Sequence, residues 1–115
     1  MKKNEVLELS FIFAIEIVKY CELLEEKKKY VIARQLLKSG TSIGANIKEA
    51  QNSESHQDFV HKLKIAAKEA EETEYWIDLV KQIDTYPKPS ESISQKLKSI
   101  INLLNKIIIT LKSNK

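Results

Sequence analysis

The sequence predicts an all-α protein, an up-and-down antiparallel four-helix bundle with a long third helix, in one domain over residues 1–115. Three observations lead there. The 115 residues include only 2 Gly and 2 Pro, where average composition is about 7% Gly and 5% Pro, so few turns are available. Charged residues make up 30% of the chain, which suits long amphipathic helices. Apolar residues recur at spacings of three and four, the period of a helix with one buried face.

The first helix is expected from Glu5 to Glu25. Val6, Leu9, Phe13, Ile17, Tyr20 and Leu24 form one stripe, and Leu7, Phe11, Ala14, Val18 and Cys21 a second beside it. Together they cover roughly 200° of the helix surface, wider than one core contact requires. Glu25-Glu26-Lys27-Lys28-Lys29 forms a charged turn.

The second helix begins near Tyr30 and enters SGTSIGANIKEA, Ser39 to Ala50. Gly40 and Gly44 lie four apart on one helical face. They either break the helix, at about 1 kcal/mol each, or let another backbone approach closely. A continuous but bent helix is expected. Asn46 lies beside Ile43 and Ile47, so its amide is expected to bond to an adjacent helix.

Ser55-His56-Gln57-Asp58 has the form of a capping box and opens the third helix, which reaches about Asp84. Phe59, Leu63, Ala66, Ala70, Thr73, Ile77 and Val80 mark its buried stripe, and the alanines imply close helix contact. Tyr86-Pro87-Lys88-Pro89 is the clearest linker. Ser92-Ile93-Ser94-Gln95 is a second capping box and is expected to start the fourth helix. There Leu97, Leu104 and Leu111 are flanked by Ile100 and Ile107 on one side and Ile101 and Ile108 on the other. Over-wide apolar faces on the first and fourth helices predict burial on two sides, once in the bundle and once in a subunit interface.

Chemistry is sparse. Asp58-x-x-His61 is one carboxylate-x-x-His spacing, and His56 is the only other histidine. A di-iron bundle needs two such motifs on different helices, so no metal and no cofactor is expected. Gly40-x-x-x-Gly44 lacks the Gly-Lys-Ser/Thr ending of a phosphate loop. A ribonuclease-type bundle would place His five residues after Arg, but Arg34 is followed there by Ser39. No enzyme is expected. The apolar run at the N-terminus is interrupted by Glu5, Glu8 and Glu16, unlike a signal peptide. No run of 18 apolar residues exists, so no membrane span is expected. One cysteine, Cys21, fits a reducing cytoplasm.

The net charge of +3 is unevenly distributed. Residues 88–115 carry a net +5, residues 54–84 a net −4 and residues 1–53 a net +2. The candidate nucleic-acid contacts are Lys27, Lys28 and Lys29 at the first turn, with Lys96, Lys98 and Lys106 on the fourth helix. Lysines of this kind bind phosphates in a salt-dependent way with little sequence preference.

The segment from Gln35 to Asp84 resembles the bacterial four-helix-bundle family of 23S ribosomal RNA intervening-sequence proteins. The resemblance is carried by Ser42-Ile43-Gly44-Ala45-Asn46-Ile47-x-Glu49-Ala50, then Phe59, Leu63, Ile65, Ala66, Lys68-Glu69, Glu72, Trp76 and Leu79. It implies a closed bundle that assembles into a ring, commonly a homopentamer, and a kinship with RNA-binding accessory proteins of diversity-generating retroelements. Ser42, Gly44, Asn46 and Glu49 are the family signature, with a structural role. Many members carry an Arg shortly after this run, where Gln51, Asn52 and Ser53 stand here. The implied function is a non-enzymatic oligomeric scaffold for structured RNA or other nucleic acid. The alternative is a structural or protein–protein interaction oligomer with no nucleic-acid role.

Overall fold

The computed structural model describes residues 5–113. Four helices follow in order: α1 (Glu5–Glu26), α2 (Tyr30–Ala50), α3 (His56–Gln82) and α4 (Glu91–Ser113). Each packs on its chain neighbours, and α4 closes on α1, so the bundle is a four-membered ring of helices. Its longest dimension is 48 Å, close to the ~40 Å of a 27-residue helix at 1.5 Å rise. Among the described residues, no helix is long and apolar enough to cross a membrane.

The core holds the stripes that the spacing marks out. Phe13, Ile17 and Leu24 of α1, Leu36, Ile43 and Ile47 of α2, Leu63, Ala66, Ala70 and Ile77 of α3, and Leu97, Ile100 and Leu104 of α4 are buried. The buried side chains of Ser10, Ser39 and Thr73 find hydrogen-bond partners, as most buried polar groups do, whereas Ser53 Oγ and Ser94 Oγ are enclosed without one. Thr73 Oγ1 stands 2.9 Å from Ser39 Oγ and 2.7 Å from Glu69 O, a polar contact between α2 and α3.

α2 runs unbroken through both glycines. The close-approach explanation is the physical one. A Cβ at Gly40 would stand 2.9 Å from Ile17 Cγ2, and one at Gly44 would stand 3.2 Å from Ser10 Oγ. The two glycines therefore set how near α1 lies to α2.

The helix ends correct two expectations. Ser55 caps α3 as expected, its Oγ accepting from Asp58 N at 3.0 Å. At α4, Ser90 accepts from Ile93 N at 3.3 Å, and Ser92 lies inside the helix. Both serines match a cap pattern, but Pro89 precedes Ser90 and stops any earlier helix, so the first serine takes the role. Ser92 instead donates to Glu16 Oε2 at 3.2 Å and accepts from Lys96 Nζ at 2.6 Å. The second correction is Asn46, whose Nδ2 donates to Ser42 O at 2.8 Å within α2. It is half-buried at the margin of the face, so the carbonyl one turn back is within reach and no neighbouring helix is needed.

The first turn ends α1 with Lys28 at φ 64°, a left-handed residue where glycine is usual. Lys29 N donates to Leu24 O at 2.8 Å and Lys28 N to Glu25 O at 2.9 Å, the paired bonds of a Schellman end. The proline linker is tied down across the same end of the bundle. Tyr20 Oη donates to Pro87 O at 2.6 Å, and Lys88 Nζ donates to Val80 O at 3.1 Å and Ile83 O at 2.5 Å, satisfying carbonyls at the end of α3.

Candidate functional site

Residues 11, 15 and 18 recur at helical spacing on the face of α1 turned away from the core, where polar side chains belong. The structure puts Phe11, Ile15 and Val18 there, with Ile12 beside them, at 67%, 42%, 38% and 47% exposure. Next to this stripe the α1/α2 seam is hollow. A cavity of about 750 Å³ lies between Leu7, Phe11 and Ala14 of α1 and Thr41, Gly44 and Ala45 of α2. The small residues that admit α1 at the core side of α2 leave this depression on the outer side.

α4 departs from the expectation of a second over-wide face. Ile101, Leu103, Ile107, Ile108 and Leu111 are half-buried against their neighbours, and the exposed large apolar residue is Ile109. The excess apolar surface is therefore concentrated on α1. Periodicity alone gives the width of an arc, and cannot tell which edge a neighbouring helix covers.

The six candidate lysines do not form one surface. Lys27, Lys28 and Lys29 sit at the bundle end where α3 finishes and α4 begins. Lys29 Nζ lies 5.2 Å from the centre of the Tyr86 ring, a cation–π contact. Lys96 is held between α4 and α1, 2.7 Å from Glu16 Oε2, and its charge is used there. Lys98 and Lys106 are exposed, with Lys106 farther along α4 beside Glu5 and Leu9 of α1.

The signature residues make contacts within the chain, on and near its surface. Ser42 Oγ donates to Lys38 O at 2.7 Å, and Ser42 O accepts from Asn46. Glu49 Oε1 pairs with Lys62 Nζ at 2.9 Å, linking α2 to α3. That hydrogen bond and charge hold the Lys62 ammonium above its usual range. Gly44 meets Ser10 of α1.

A basic hollow that the sequence reading missed lies where α3 begins and α4 ends, walled by His56, His61, Lys64 and Lys112. Lys112 is far from the others in the chain, and only the antiparallel return of α4 brings it alongside. Among the described residues, no group of three His, Cys, Asp or Glu side chains is placed to hold a metal ion. Burial pushes the Cys21 thiol up to about 12, with the Glu25 carboxylate adding to the effect, so it is a neutral core group.

These features define a small antiparallel four-helix-bundle protein whose distinctive chemistry lies on its outer surfaces. The family model described as 23S rRNA-intervening sequence protein matches residues 2–106, and the chain belongs to that family. It is similar to the crystal structure of a protein of unknown function from the S23 ribosomal protein family of Bacteroides thetaiotaomicron VPI-5482. The identity is 46%, the match covers 94% of this chain and 98% of that one, and the TM-score is 0.86. No curated protein matches the chain.

Proposed function

We propose that this protein is a non-enzymatic scaffold that assembles with copies of itself and binds structured RNA through lysine-rich surfaces. The observation that carries the reading is the apolar stripe of Phe11, Ile12, Ile15 and Val18 on the solvent face of α1, beside the hollow α1/α2 seam. Contiguous exposed apolar surface of this kind marks interaction sites on soluble proteins. The family resemblance implies a ring of five, related to the accessory proteins of diversity-generating retroelements. Closing a ring multiplies the chain's net +3 and sets many lysines against one polyanion.

One observation favours the alternative, a protein-interaction oligomer with no nucleic-acid role. Glu71, Glu72, Glu74 and Asp78 line the outer side of α3 around exposed Tyr75, a surface that repels phosphate. Sedimentation tests the assembly. The wild type is expected to run as a multiple of 13.3 kDa, and the double variant Phe11→Lys/Ile15→Lys as a monomer that keeps its helical circular dichroism. A wild type that sediments as a monodisperse monomer at micromolar concentration refutes assembly. Heparin retention and RNA gel shifts at low salt separate the two readings, because the alternative predicts neither.

A further inference from the structure

The hollow between the start of α3 and the end of α4 has a volume of about 510 Å³. Ligand sites are commonly about 300–1,000 Å³. Residues 56, 60 and 64 recur every four on one face of α3, with 57 and 61 beside them. Lys112 comes from the last turn of α4. Val60 supplies an apolar patch and Gln57 an amide.

The sign of its charge sets this hollow apart. In the α1/α2 seam Glu8 accompanies Lys48, farther along α1 Glu22 accompanies Lys19, and on the α1/α4 side Glu5 accompanies Lys106. Among the described residues, no carboxylate lines the hollow at α3 and α4. Asp58, which is close in sequence, is not among the residues that line it. Lys62, Lys88 and Lys96 are spent on a carboxylate, on backbone carbonyls and on Glu16 respectively. Among the described residues, Lys64, Lys112, His56 and His61 make no ion pair and no side-chain hydrogen bond. Unpaired cations around a concavity focus the field and concentrate anions. The amino end of the 27-residue α3 adds partial positive charge at the same place.

We propose that this hollow binds the phosphate of a nucleotide, with Lys64 and Lys112 on the phosphate oxygens and the two imidazoles beside the nucleotide. Lysine ammoniums serve as point charges for phosphate. Histidine rings donate hydrogen bonds and offer faces on which unpaired bases stack. Where the phosphate belongs to an RNA strand, the inference rests on the RNA-scaffold reading and gives it a location. The same chemistry accepts a free nucleotide.

The test follows the imidazole resonances of His56 and His61 in the full chain, titrated separately with inorganic phosphate, a 5′-mononucleotide and a mixed-sequence single-stranded RNA. Both histidines are expected to respond to the mononucleotide and to RNA. Lys64→Gln/Lys112→Gln should weaken RNA binding about tenfold and flatten the log–log salt slope by about 1.4, for two lost contacts to a single strand. Lys27→Gln/Lys28→Gln, at the opposite end of the bundle, should leave the histidine response intact. All four side chains are exposed, so unchanged melting of each variant is the check on folding. If the cavity variant binds RNA with wild-type affinity and slope, the site is overturned and the RNA reading stands. If the histidines respond to the mononucleotide while RNA does not bind, the phosphate site stands and the RNA reading falls. Silence of both histidines in all three titrations overturns the site.

Discussion

Gly40→Ala puts the packing of α1 on α2 to a quantitative test. On helix propensity alone, the substitution should stabilise α2 by about 1 kcal/mol. The structure opposes this. The new methyl would stand 2.9 Å from Ile17 Cγ2 and 3.2 Å from Ile17 Cγ1, and both atoms belong to a fully buried β-branched side chain. Such a side chain has little rotamer freedom in a helix, so relief requires α1 to shift. Overpacking of this kind costs about 1–3 kcal/mol. The net expectation is a destabilisation of about 0–2 kcal/mol, and a melting temperature lower by about 4 °C per kcal/mol. Gly44→Ala is the matched control. Its methyl would meet Ser10 Oγ at 3.2 Å, a looser contact, so it should be more stable than Gly40→Ala. A double-mutant cycle with Ile17→Ala in urea unfolding isolates the cause. Ile17→Ala alone should cost about 2–5 kcal/mol, but removing both γ carbons also makes room for the methyl added at position 40. The pair should therefore show a favourable coupling of about 1 kcal/mol or more. If Gly40→Ala is more stable than wild type and strictly additive with Ile17→Ala, the close-approach argument is wrong.

The helix starts give a second prediction: Ser55→Ala and Ser90→Ala should each cost about 0.5–2 kcal/mol in thermal unfolding, while Ser90→Asn, which keeps a capping acceptor, should cost little; a loss from Ser90→Asn equal to that from Ser90→Ala would contradict the cap assignment. The pH dependence gives a third. Burial, with the neighbouring Cys21 and Tyr86 adding to it, pushes the Tyr20 hydroxyl from 10.0 up to about 12, and Cys21 rises from 9.0 to about 12. Above about pH 9 the unfolded chain thus binds fewer protons than the native one, so stability should fall between about pH 9 and 12. Urea unfolding at about pH 8 and about pH 10.5 measures this, and Cys21→Ala should flatten the decline; an unchanged slope in that variant would remove Cys21 as a cause.

The architecture was legible because apolar periodicity and scarce breakers record burial directly. Leu63, Ala66, Ala70, Thr73, Ile77 and Val80 are buried where the spacing of three and four places them. Ser55 was legible as a cap because its partner, Asp58 N, is three residues away. Ser92 misleads because two serines compete and the deciding fact is tertiary: Glu16, on a helix at the far end of the sequence, engages Ser92 and Lys96. Asn46 misleads for a related reason, since the face it shares with Ile43 and Ile47 turns from core to margin within one residue. The basic hollow carried no sequence signal beyond a His-x-x-x-x-His-x-x-Lys spacing on α3. Lys112, the fourth residue of the set, arrives through topology, which charge counting along the chain does not record.

The ring of helices determines whether the proposed assembly and the proposed phosphate site would compete for the same surface. In the cyclic order α1, α2, α3, α4, the α1/α2 seam lies across the bundle from the α3/α4 seam. The apolar stripe and its hollow occupy the first, and the basic hollow opens on the second. A neighbour docked on Phe11 and Ile15 would therefore cover the side of the molecule where carboxylates accompany the lysines, Glu8 with Lys48 and Glu22 with Lys19. Lys64 and Lys112 stay on the opposite side. Mixed charge beside the apolar stripe would also spare copies assembled as proposed the repulsion that a basic interface would impose, since like charges across an interface cost several kcal/mol. The acidic outer side of α3 bounds the basic hollow along its own helix, because the sequence passes from Lys64 and Lys68 to Glu71, Glu72 and Glu74 within three turns. An RNA strand seated at the start of α3 would thereby be directed toward α4, where Lys98, Asn102, Asn105 and Lys112 follow at spacings of four, three and seven. Of the candidate phosphate contacts on α4, Lys98 is exposed and free to serve such a strand, whereas Lys96, two residues before it, belongs to the α1 contact.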